Sequence, residues 1–264
     1  MWLSVASCNF YLCLDPVLME TFVVSALKYR PQTFEEVVGQ KAITQTLDNA
    51  IAKNQLAQAL LFCGPRGVGK TSCARILAKK INSQGKNDAD QDFAFNIFEL
   101  DAASNNSVDD IRSLNEQVRI PPQVGTHKIY IIDEVHMLSI GAFNAFLKTL
   151  EEPPKHVIFI LATTEKQKII PTILSRCQTY DFKRISVADC KEYLKKIAED
   201  QKIQFEEEAL DLIAQKADGA MRDALSIYDR MVSFSNQQLT VKSVSENLNV
   251  LGHETFFSVT SLIL

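Results

Sequence analysis

The residues with the clearest chemistry are nine in a row: Gly64-Pro65-Arg66-Gly67-Val68-Gly69-Lys70-Thr71-Ser72. They fit the pattern G-x-x-x-x-G-K-[ST]. Its glycines turn backbone N–H groups inward around phosphate oxygens, while the helix that follows offers its positive end. Lys70 is placed to reach the β and γ phosphates of a nucleotide, and the Thr71 hydroxyl to ligate Mg²⁺. A glycine-rich turn before an ordinary helix is the bland alternative. It does not account for Lys-Thr opening a helix directly after the apolar run Ala59-Leu-Leu-Phe-Cys63.

A second acidic element is needed to hold the metal and activate water. Asp133-Glu134 ends another apolar run, Lys128-Ile-Tyr-Ile-Ile-Asp133. Asp133 suits Mg²⁺, directly or through water, and Glu134 suits the orientation and polarisation of the attacking water. His136 completes the string DEVH, which invites a helicase reading, but one histidine is weak evidence for it. Thr163-Thr164 ends a further apolar run. A hydroxyl there could bond the attacking water or the γ-phosphate, although β-branched residues favour strands in any case. Arg176 and Arg222 carry the planar, permanently charged fork suited to phosphate. Spacing alone does not lift either above a surface salt bridge.

The elements that must position these groups follow from the pattern. Strands are predicted at 59–63, 95–100, 128–133 and 157–162, with helices at 70–81, from Ser107 (a capping box with Asp110) to about Val118, and around Phe143, Phe146, Leu147 and Leu150. Residues 82–93 read as a polar surface connection. Strands alternating with helices predict a parallel sheet covered on both faces. Beyond about Arg184 only helices are expected, one of them burying Met221, Ala224, Leu225, Tyr228 and Val232. The fold class is therefore α/β with a small all-helical domain after it. The boundaries are 1–18 for a non-native or disordered extension with Met19 as the natural start, 19–184 for the α/β domain, 185–248 for the helical one, and 249–264 for the start of a third domain that is cut off.

The chain has 264 residues, 46% of them apolar, enough for one or two cored domains. With a net charge of −4, no strongly basic DNA-binding surface is written into the composition, so any contact with nucleic acid is expected through a local patch or an assembly. Six cysteines without close C-x-x-C pairs suit free thiols in a reducing cytosol. The apolar N-terminus lacks the basic residues of a signal peptide and is short for a membrane span.

Eight strings then stand in order: SALKYRPQTFEEVVGQ at 25–40, the glycine-rich loop, ELDAASNNSVDDIR at 99–112, IIDEVHMLS at 131–139, FNAFLKTLEEPP at 143–154, LATTE at 161–165, LSRC at 174–177 and GAMRDALS at 219–226. Together, from about Met19 to Leu251, they resemble the gamma/tau family of bacterial DNA polymerase III clamp loaders, AAA+ P-loop ATPases. The resemblance implies ATP and Mg²⁺ as ligands and cytoplasmic localisation. Its implied partners are the other subunits of a hetero-pentamer, the sliding clamp, and primed DNA reached through the assembly. It matches Thr164, twelve positions before Arg176, to the sensor-1 position. Arg176 matches the arginine finger that reaches a neighbour's ATP, and Arg222 the sensor-2 residue on the lid. Tyr29, Arg30, Pro31, Val37 and Val38 match the adenine and ribose pocket.

A finger acting in trans contributes about 10³–10⁵ in rate, so the isolated subunit is expected to hydrolyse ATP poorly. The family's four-cysteine zinc module would fall at residues 82–97, which hold no cysteine, so no structural zinc is expected. Leu27 stands where a basic residue is usual. Two rivals are a non-hydrolysing, stator-like clamp-loader subunit, which would carry a damaged P-loop, and a branch-migration helicase, which would need a winged helix after the lid.

Overall fold

The computed structural model describes residues 23–83, 96–123, 125–235 and 238–248. The expectations for residues 1–18 and 249–264, and for most of 82–97, lie outside them.

A five-stranded parallel sheet forms the first part of the molecule. Its strands are β1 (Ala59–Cys63), β2 (Ile97–Asp101), β3 (Lys128–Asp133), β4 (Val157–Thr163) and β5 (Gln178–Asp181), in the order β2-β3-β4-β1-β5. The central strands are continuous apolar runs because both faces are covered. Successive side chains nevertheless serve opposite cores, with the period of two that a strand imposes. Leu61, Tyr130, Ile132, Phe159 and Leu161 join one cluster; Leu60, Phe62, Ile131, Ile158 and Ile160 join the other.

After the short α1 (Ser25–Lys28), the helices α2 (Lys41–Ala52) and α3 (Lys70–Ser83) cover the second cluster through Leu47, Ile51, Ile76, Leu77 and Ile81. The first cluster is covered by α4 (Val108–Val118) and α5 (Ile140–Glu151), through Ile111, Leu114, Phe143, Phe146 and Leu150. Ser107 and Asp110 form the expected capping box at the start of α4. The helix α3 runs two residues past its predicted end. Its Asn82 is buried, not part of a surface connection, and its side-chain carbonyl accepts the His127 N–H at 3.2 Å.

The chain leaves β1 for the far edge, returns through β3 and β4, and crosses β1 by way of α6 (Pro171–Leu174) to reach β5. The strand order therefore reverses at β1, which opens a crevice beyond its carboxyl end, where α/β sheets bind ligands.

A helical lid follows: α7 (Val187–Asp200), α8 (Glu207–Lys216), α9 (Met221–Phe234) and α10 (Val241–Leu248). It has its own core around Leu194, Ile197, Leu210, Ile213 and Tyr228. Contrary to the all-helical expectation, two-residue strands β6 (Gln204–Phe205) and β7 (Gln238–Leu239) pair in parallel between its helices. Ala26, Tyr29 and Val38, from the N-terminal segment, pack against this lid core.

Cys63, Cys73, Cys177 and Cys190 are buried free thiols, and burial pushes Cys73 up to about 12. No helix among the described residues is long and apolar enough to cross a membrane.

Candidate nucleotide-binding site

The loop between β1 and α3 takes its shape from two close approaches. Gly64 lies at φ +148°, and a Cβ there would overlap the carbonyl oxygen of Phe182, which follows β5. Gly67 lies at φ +76°, and its Cβ would stand 3.1 Å from that of Ala220 in the lid. One glycine thus seats the loop on the sheet and the other brings it against the lid, in conformations that side chains disfavour.

A cleft of about 860 Å³ opens at this loop, between the strand ends and the lid. Of the expected residues, Tyr29, Arg30, Pro31, Val37, Val38, Arg66, Gly67, Val68, Gly69, Lys70, Thr71, Ser72, Asp133, Glu134 and Arg222 line it. Gly64 and Pro65 lie behind it, where their carbonyls each accept from the Lys70 ammonium at 2.7 Å. Lys70 is only 6% exposed. Burial pulls its ammonium below the usual value, against the opposing influence of Glu134 and Asp133. A buried cation beside a glycine loop is an arrangement that an anionic ligand stabilises.

The two residues expected to hold the metal stand together. Thr71 Oγ1 donates to Asp133 Oδ2 at 2.7 Å, so the first turn of α3 and the end of β3 bring two hard oxygens together. Mg²⁺ commonly takes one or two such protein ligands and completes its shell with water and phosphate, so the donor set fits that ion.

Glu134 follows at φ +48°, a left-handed conformation that is uncommon for a side chain of this kind. Its Oε2 accepts from the Thr164 hydroxyl at 2.9 Å and from the Thr164 N–H at 3.3 Å. Thr164 is outside the cleft lining and touches it through Glu134. The adjacency of β3 and β4 makes this contact possible.

The two arginines part company. Arg222, near the start of α9, lines the cleft, and its backbone N–H approaches the Gly67 carbonyl at 3.5 Å. Arg176 is not among the lining residues. It pairs with Glu151 at 2.5 Å and donates to the Thr172 carbonyl at 2.7 Å.

Sequence reasoning missed Arg75 and Glu99, which join α3 to β2 across the cleft wall through two hydrogen bonds of 2.8 and 2.6 Å. Helical spacing held the signal for Arg75, since it stands one turn beyond Thr71 on the same face. Burial, then repulsion from Arg75, lowers the Arg30 guanidinium, with a smaller push from Arg222. Glu99 and Asp133 oppose that shift, so cations and carboxylates share the cleft.

Residues 39–186 match the family described as DNA polymerase III, delta subunit, and residues 189–237 the DNA polymerase III clamp loader subunit, ATPase lid domain. The tau subunit of DNA polymerase III from Bacillus subtilis (strain 168) is 52% identical over 229 residues, covering 81% of this chain and 40% of its own. The gamma subunit from Buchnera aphidicola subsp. Schizaphis graminum is 37% identical over 255 residues, covering 92% of this chain and 70% of its own.

Among solved structures, the Thermotoga maritima RuvB Holliday junction branch migration motor superposes with a TM-score of 0.67 at 21% identity. The match covers 84% of this chain and 73% of that one. At such identity the likeness shows the AAA+ fold alone. The chain spans 40% of the length of the Bacillus subtilis tau subunit. By its sequence relatives and by the lid that follows its sheet, the chain belongs to the gamma/tau family of DNA polymerase III clamp-loader subunits.

Proposed function

We propose that this chain is the ATP-hydrolysing motor part of a clamp loader. The observation that carries this is the meeting of Lys70, the Thr71–Asp133 pair and the Thr164-bound Glu134 where β1, β3 and β4 end at one cleft. The loop's N–H groups and Lys70 bind the β and γ phosphates of ATP, and Arg222 closes on them from the lid. Tyr29, Arg30, Pro31, Val37 and Val38 enclose the base and ribose. Thr71 and Asp133 would hold Mg²⁺, which neutralises developing phosphate charge when bound. Glu134 accepts the proton of the attacking water, and Thr164 orients that water or senses the γ-phosphate.

Arg176 lies off its own cleft and acts on ATP held by the neighbouring subunit. ATP binding draws the subunits into an arrangement that opens the sliding clamp and grips primed DNA. Hydrolysis then releases the clamp around the duplex. The stator-like alternative is disfavoured because the glycine-rich loop with Lys70 is intact and the Thr71–Asp133 and Thr164–Glu134 contacts are both formed. The test is Glu134→Gln in the full-length subunit within its loader. ATP turnover should fall by about 10²–10⁴, the usual contribution of a positioned base, with nucleotide affinity retained. Unchanged turnover would refute the motor function.

A further inference from the structure

His136 is the one polar residue of the DEVH string that the proposed function does not use; Val135 packs in the core. The short turn Val135–Met137 after Glu134, closed by the Met137 N–H bonding to the Glu134 carbonyl at 2.8 Å, folds the chain back toward the end of β4. There the His136 side chain is 6% exposed. It belongs to neither apolar cluster of the sheet. Its Nδ1 stands 3.3 Å from Glu134 Oε2 and 3.0 Å from the Thr163 hydroxyl, and its Nε2 stands 3.3 Å from Glu165 Oε1. Thr163 is fully buried, and its hydroxyl also accepts the Glu165 N–H at 3.1 Å. The imidazole therefore joins the end of β3 to the end of β4 through polar contacts.

We propose that His136 is a positioning residue for Glu134, an inference that rests on the role of Glu134 as the water-activating base. Glu134 occupies a disfavoured backbone conformation, so neighbouring groups must hold it there. The Thr164 and His136 contacts all fall on Oε2, and Oε1 has no hydrogen-bond partner among the described residues. One oxygen is fixed while the other is left to take a proton from water. Thr164 is a shared anchor, because its hydroxyl is also needed at the terminal phosphate. When it serves there, His136 is the side chain that still holds Glu134 in line. A misplacement of about 1 Å in such a group costs about 10²-fold in rate.

Two substitutions separate this role from simple packing. Asparagine can set an amide near the position of Nδ1 and keep the Glu134 and Thr163 contacts. Glutamine reaches the position of Nε2 and keeps only Glu165. Single-turnover hydrolysis would be measured in the loader assembled with the full-length subunit, the clamp and primed DNA, and affinity by titration with a fluorescent ATP analogue. His136→Ala and His136→Gln should slow hydrolysis by at least about tenfold with affinity within about twofold of the parent. His136→Asn should restore the rate to within about threefold.

A fall smaller than tenfold in His136→Ala would overturn the proposal. So would a His136→Asn protein that folds with the parent's melting temperature yet is as slow as His136→Ala. Glu134→Gln is run alongside. If it is inactive while His136→Ala is not slowed, only the histidine inference fails. If Glu134→Gln is fully active, the motor function itself fails.

Discussion

Lys70 opens α3 beyond the end of β1, Asp133 ends β3 and Glu134 follows it; β1 and β3 flank β4 in one sheet, bonded along their length and buried on both faces. Arg222 stands on α9 of the separately cored lid, where its N–H reaches the Gly67 carbonyl at 3.5 Å. The Ile185 N–H reaches the Gly219 carbonyl at 3.1 Å, and the Gln40 amide donates to the Lys183 carbonyl at 2.7 Å. The N-terminal segment straps itself to the lid instead. The Ser25 N–H donates to Asp229 at 2.7 Å, the Tyr29 hydroxyl to Asp200 at 2.6 Å, and the Tyr193 hydroxyl to the Tyr29 carbonyl at 3.0 Å. One wall of the cleft is thus a bonded sheet that serves as a platform for chemistry, and the other is a separately cored lid that serves as a clamp. Substitutions of the acidic pair on the platform should act on the rate of hydrolysis, and those on the clamp on nucleotide affinity. Lys70, which bonds phosphate in the ground state as well as in the transition state, should act on affinity too.

The largest expected effect belongs to neither wall. Arg176→Ala should lower turnover of the assembled loader by about 10³ or more and leave ATP affinity of the isolated subunit unchanged in a titration. A loss of affinity there would place Arg176 at its own cleft. Next, Lys70→Ala should weaken ATP binding by about 100-fold, since charge-assisted bonds to phosphate contribute about 1.5–3 kcal/mol. Arg222→Ala should weaken it by about tenfold on the same basis. If Arg222→Ala slowed single-turnover hydrolysis at saturating ATP more than it weakened binding, the division between platform and clamp would break.

A smaller effect tests the segment that joins sheet to lid. Gln40 is 3% exposed, and its truncation removes bonds to both the carbonyl and the N–H of Lys183. Gln40→Ala should cost about 1–2 kcal/mol in urea denaturation. Smallest of all, Asp229→Ala frees Ser25 from α9 and should weaken ATP affinity by only about threefold, with no change in single-turnover rate. That estimate reflects about one net hydrogen bond of less than 1.5 kcal/mol.

The platform was legible in the sequence because several signals coincided at each point. The strand Lys128–Asp133 matched its predicted ends, since a buried parallel strand is an unbroken apolar run that stops where the acidic pair begins. The strand β5 was not legible. Gln178–Asp181 buries only Tyr180 and is a strand because β1 lies beside it, a fact of tertiary pairing that no local pattern carries. The strands β6 and β7 are too short to show any period. Arg176 and Arg222 looked alike in the sequence. What separates them is the crossing of α9 over Gly67, against the pairing of Arg176 with Glu151 behind α6. The clasp around His136 was hidden for a similar reason, since it depends on β4 lying next to β3.

If a neighbouring subunit completes the ATP site of this chain, hydrolysis should depend on assembly. Phosphate release would be measured with the full-length subunit alone and then with the other loader subunits, the clamp and primed DNA. Slow release is expected from the subunit alone, and stimulation of about 10³ or more in the full mixture. Tight ATP binding with the same slow release in both would contradict that dependence and favour a structural, non-hydrolysing subunit.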